Sequence, residues 1–137
     1  IREGKEYVLD TLVWKFSEDG FSSDSLKLND KAWKLLKPSM YLSEMSEGQW
    51  KGYGWFWITI DVDSALQNNE ATMVISHFGA SEVYWDGKLI NKFGIVSAKP
   101  EQESVYRLVQ YPLKLRLLPG KHILSLRYSI IQYTVQY

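Results

Sequence analysis

The groups in this sequence that could move protons are two histidines, His77 and His122, and 16 acidic side chains; six tryptophans could stack on a flat ligand. A glycosidase needs two carboxyl groups roughly 5 to 10 Å apart across the scissile bond. Glu44, Glu47, Asp61, Asp63, Glu70, Glu82, Asp86, Glu101 and Glu103 fall mainly in polar stretches or at strand ends, and no motif singles out a pair. Neither histidine has the spacing of a nucleophile's base or of a metal ligand. His77 lies on a strand pattern with Met73 and Ile75 and reads as a hydrogen-bonded strand histidine. Cysteine is absent, which excludes disulfides and thiolate zinc sites. Gly52-x-Gly54 runs into a strand rather than a helix, so it is no phosphate-cradling loop. The residues therefore point away from catalysis, with no catalytic group, metal ligand or cofactor expected.

Recognition is the chemistry that remains. Trp50, Tyr53, Trp55 and Trp57 are closely spaced. On a strand, Tyr53, Trp55 and Trp57 share one face, and an indole can stack on the CH-rich face of a sugar. Gln49, Asp61 and His77 could then bond hydroxyls, which makes Trp50, Tyr53, Trp55, Trp57 and His77 the candidate ligand-binding set. Two alternatives leave no ligand there: the face is covered by the long 17–52 connection or the N-terminal strand, or it docks on a further domain. The polar stretches Ser43 to Lys51 and Ser97 to Ser104 are a second kind of candidate, as loops at one end of a sandwich. Asp10, Asp19 and Asp24 could offer oxygens to a structural calcium, but their spacing does not favour it.

Period-2 alternation dominates the chain and would position these groups. Leu12, Trp14 and Phe16 alternate in a first strand; residues 17 to 34 read as an irregular connection, with a helical turn near Asp30 to Leu36, ended by Pro38. Tyr53 to Val62 is the strongest strand, with Phe56, Ile58, Ile60 and Val62 on the face opposite the tryptophans. Thr72 to Phe78 is another, and Gly79 interrupts before Ser81 to Trp85. Asp86-Gly87 is a strong hairpin signal, since both central positions of that turn favour positive φ. Residues 111 to 117 alternate as a strand, and Pro119-Gly120 turns into His122 to Tyr128. The tail through Ile131, Tyr133, Val135 and Tyr137 keeps alternating. About eight short strands separated by turns argue for an all-β antiparallel sandwich or barrel.

The 137 residues suit one domain, and no linker or repeat divides them. Charge is balanced at 16 basic against 16 acidic residues, and no basic block interleaves with aromatics, so nucleic acid is not an expected partner. No apolar run nears the roughly 18 residues that span a bilayer. The chain opens on Ile1 rather than Met, which suggests a piece of a longer protein whose leader or anchor lies elsewhere.

The order of several signals is specific enough to compare with a family. Asp30-x-x-Trp33 precedes Gly54-Trp55-Phe56-Trp57-Ile58-x-Ile60; then come Phe78 to Ile90 with its Val83-Tyr84-Trp85-Asp86-Gly87 centre, Gly94, and Leu118-Pro119-Gly120-Lys121-His122-x-Leu124-x-Leu126-Arg127-Tyr128. Over about residues 10 to 130 this resembles the galactose-binding-domain-like jelly roll, found as the sugar-binding domain of family 2 glycoside hydrolases. It is also similar to extracytoplasmic sensor domains of bacterial membrane-anchored histidine kinases, phosphatases and cyclases. The resemblance implies a non-catalytic sensor or carbohydrate-binding module, periplasmic or extracellular, joined to a downstream domain; the alternative is an accessory domain of a glycoside hydrolase, whose catalytic carboxylates sit in a separate barrel. It also implies a core role for Trp33. Free edge strands would allow a homodimer.

Overall fold

The computed structural model describes residues 7, 9, 12–18, 34–36, 51–65 and 70–130. Among these residues, seven strands carry the fold: β1 (Trp14–Ser17), β2 (Lys34–Leu36), β3 (Tyr53–Val62), β4 (Glu70–Trp85), β5 (Lys88–Phe93), β6 (Tyr106–Arg116) and β7 (Gly120–Ser129). All pairings are antiparallel. The main layer runs β2-β1-β3-β7-β4-β5, while β6 pairs with the first half of β4 in a second layer. The protein is an all-β antiparallel sandwich, and β4 belongs to both layers.

Gly79 is where β4 changes layers. Residues Glu70 to His77 pair with β6, the register shifts between His77 and Gly79, and Ala80 to Trp85 pair with β7. Gly79 sits at φ 124°, and a Cβ there would lie 2.7 Å from the Ser129 carbonyl oxygen. Only glycine takes that conformation at that separation. The expected interruption at Gly79 is thus a bend within one 16-residue strand. The Tyr128 hydroxyl donates to the Phe78 carbonyl and ties the bend to β7.

Alternation sorts the main layer's faces as the pattern suggested. Phe56, Ile60, Val62, Val83 and Leu124 point inward with Trp14 and Phe16, meeting Leu113, Leu115 and Leu117 of the second layer. Along β4 the inward set is Ala71, Met73 and Ile75, while Val74 stays 67% exposed. Gly54 is needed for contact rather than for φ: a Cβ there would lie 2.2 Å from the Phe16 ring. Phe16 then reaches Phe56, ring centroids 5.0 Å apart.

Two expectations are corrected. Residues 34–36 are not helical; they pair with Trp14 to Phe16, so ladder bonds to a neighbour outweigh the local helical pattern. The first strand begins at Trp14, leaving Leu12 46% exposed outside it. Asp86-Gly87 does close the hairpin, with φ 50° and 81° and Trp85 facing Lys88. Trp33, Pro38, and the tail from Ile131 to Tyr137 lie outside the described residues.

Candidate functional site

The candidate binding set does not come together as one cluster. Tyr53, Trp55 and Trp57 do share the face of the main layer turned away from the core (the back face), but His77 belongs to the opposite side. Its ring stands edge-on to Phe93 at 5.7 Å and to Tyr128 at 5.5 Å. It shares a 2.7 Å hydrogen bond, through Nε2, with the Ser81 hydroxyl, while Nδ1 is buried with no partner. Burial pushes its pKa down to about 4, so the ring is neutral near pH 7. A His–Ser pair needs a group that orients the ring and an accessible oxygen to act as a nucleophile. Ser81 is 1% exposed and no carboxylate reaches Nδ1, so this pair serves the core.

Trp55 is 1% exposed. The cover over it is the connection between β5 and β6: Val96 buries against Trp55 and Ala80, with Ala98, Val105, Tyr53 and Tyr84 packed around them. Gly94 admits this connection at φ 73°, where a Cβ would lie 2.1 Å from the Ser104 carbonyl oxygen. Reciprocal bonds between Ile95 and Ser104, at 2.8 and 3.0 Å, and one from Ser97 N–H to Ser129 Oγ hold it down. The stretch Ser97 to Ser104, read above as a binding loop, therefore also lids part of the back face. Trp55 is a packing residue beneath that lid, not an open platform.

The rest of the back face differs. Glu82, Arg127 and Trp55 stand side by side across β4, β7 and β3. Arg127 Nη1 donates to both Glu82 oxygens at 3.2 and 3.3 Å, and the Tyr84 hydroxyl donates to Oε1 at 2.8 Å. Further along, Trp57 is 8% exposed and carries the Lys15 ammonium 4.6 Å over its ring, a cation–π contact. Thr59, Asp61 and Lys121 beyond it are exposed and Ile123 is half-buried. One face thus grades from a lidded aromatic end, through a nearly buried ion pair, to a polar end open to solvent.

His122 was given no role by sequence reasoning, yet between Lys121 and Ile123, on the opposite face of the same end of the sheet, it makes several polar contacts. Its Nδ1–H donates to Asp86 Oδ2 at 2.6 Å and its Nε2–H to the Leu118 carbonyl at 2.5 Å, and the Trp85 ring stacks on it at 5.1 Å and 17°. Asp86 Oδ1 also accepts from Ile123 N–H at 2.8 Å. The Asp86 bond raises the His122 pKa against the cost of burial, helped by the Leu118 carbonyl and the Asp86 charge. For Asp86, burial works upward but is outweighed by the bonds from His122 and Ile123 and by the His122 charge, so its pKa falls. Both partners were in view as turn signals, but nothing local says that β7 runs beside β4 and brings residues 36 apart together.

Trp50, Gln49, Asp10, Asp19 and Asp24 lie outside the described residues. Among the described residues, no three His, Cys, Asp or Glu side chains gather as a metal site, and no helix is long and apolar enough to cross a membrane. No protein-family model matches the chain, and neither curated proteins nor solved structures give a match.

Proposed function

We propose that this chain is a non-catalytic recognition domain of an exported signalling protein, binding a carbohydrate on the back face of its main layer. The observation that carries the reading is the make-up of that face. Thr59, Asp61, Lys121 and Ile123 set an aliphatic side chain among hydroxyl, carboxylate and ammonium groups on a rigid sheet, beside Trp57, whose indole is buried beneath Lys15 and meets a sugar only when that ammonium swings aside. Sugars offer the matching chemistry, an apolar CH face rimmed by hydroxyls. The histidines and the Glu82–Arg127 pair make their contacts within the fold, which fits a binding rather than a reacting surface. The jelly-roll kinship belongs to the same reading: a long strand passing from one layer to the other at Gly79 suits such a topology.

A glycan array probed with the labelled domain tests this. Binding to at least one glycan class is expected, weakened at least about tenfold by Thr59→Arg, which crowds an exposed position without touching the core. No hit on any glycan, or hits indifferent to Thr59→Arg, would sink the reading.

A further inference from the structure

We infer that His122 is a proton-operated staple, holding both the carboxylate at the tip of the β4–β5 hairpin and the Leu118 carbonyl ahead of β7 only while its imidazole carries two protons, and so tightening a junction that backbone bonds alone hold more loosely. The reason is hydrogen-bond valence. A backbone carbonyl can only accept, and an ionised carboxylate can only accept. With Asp86 Oδ2 on Nδ1 and Leu118 O on Nε2, both bonds are made only by an imidazolium. A neutral ring has one N–H and must surrender one of the two anchors. The face of Trp85 stacked on the ring favours the cation as well.

The segments joined are short and meet at this ring. Asp86 exchanges bonds with Ile123 through its backbone, Asp86 N–H to Ile123 O at 2.8 Å, and through its carboxylate, from Ile123 N–H. The Leu118 carbonyl belongs to the turn that leads into β7. Among the described residues, the charged groups around the ring are few. From the hairpin comes Asp86; Lys88, opposite Trp85, is exposed. On β7 and β3, Lys121 and Asp61 are register partners whose alternation places them on the back face, whereas Ile60 lies across from His122 itself. The second layer presents Ala71, Met73, Leu113, Leu115 and Leu117 inward, with Glu70, Lys114 and Arg116 exposed. Asp86 is therefore the charge that governs the ring. The direction of its effect, upward, means the staple is closed below the ordinary histidine range and opens as pH rises through the raised value.

Amide hydrogen exchange across a pH series reads this out, with protection factors corrected for intrinsic base catalysis. The Ile123 and Asp86 amides should lose about tenfold in protection, relative to the central β3–β7 ladder, as pH rises through the His122 titration. The midpoint should coincide with that of the His122 ring proton followed by NMR in the same samples. In His122→Gln the relative step should vanish. A step that is absent in the wild type, that persists in His122→Gln, or whose midpoint departs from the ring's titration would overturn the inference; the ring titration alone decides if the variant does not fold.

Discussion

The two faces of the main layer use the same strands to opposite ends. Inward, β3 and β7 offer Phe56, Ile60, Val62 and Leu124 to a continuous apolar core. Outward, one residue along in each strand, they offer Trp55, Trp57, Ser125 and Arg127, with Glu82 and Tyr84 from β4. Apolar burial needs no partner and is forgiving of detail. A nearly buried ion pair is another matter, because desolvation offsets most of its attraction and each charge depends on the other. The inner face explains why the domain folds; the outer one is where its sequence is costlier than folding requires.

The largest effect expected from breaking this contrast is at Trp55, where the lid and the face meet. Trp55→Ala should cost about 4 kcal/mol in urea unfolding, as much as a truncation in the main core, and a loss under about 1 kcal/mol would mean the lid does not pack as described. Arg127→Met should cost about 3 kcal/mol by leaving Glu82 without its counter-charge. Glu82→Gln with Arg127→Met should recover most of that, a non-additivity that Leu124→Ala combined with Arg127→Met would not show.

A smaller effect separates the two histidines, which lie on the inner side yet titrate oppositely. His77, with its pKa down to about 4, stays neutral while the unfolded chain, near 6.5, takes up a proton. Stability therefore falls as pH drops from about 6.5 to about 4, on the order of 2 to 3 kcal/mol. His77→Phe should flatten this acid limb. His122 has the reverse sign, its contribution complete below about 6.5 and lost as pH rises through its raised pKa, so His122→Gln should flatten the alkaline limb instead. Thermal melts across pH check both. The smallest effect is at the hairpin tip: Gly87→Ala meets no atom within 4 Å and only the strain of φ 81°, about 1 kcal/mol.

What could be read in the sequence was whatever depends on alternation and turn chemistry. The inward set of Tyr53 to Val62, the Asp86-Gly87 hairpin and the face shared by His122 with Leu124 and Tyr128 are period-2 and local, and the structure keeps them. Strand adjacency was not legible. That β7 lies between β3 and β4 decides that Arg127 meets Glu82 and His122 meets Asp86, pairs 45 and 36 residues apart. The same blindness placed His77 with the tryptophans: period 2 sets it on one face of β4 with Ala71, Met73 and Ile75, but nothing local says that this face is turned to the core and away from Trp55 and Trp57. The lid over Trp55 was hidden because residues 97–104 look like any polar loop, while Val96, which buries against Trp55, and Gly94, which permits the close return, stand just ahead of that stretch.

Binding on the outer face is tested most directly by side-chain NMR during titration with a glycan taken from the array. The Trp57 indole and Ile123 methyl signals should shift together and saturate with the same affinity, while the Ile60 and Leu124 methyls of the inner face stay still. Saturable shifts confined to the inner face or the Asp86–Gly87 hairpin, or none with any glycan, would contradict a carbohydrate-recognising back face.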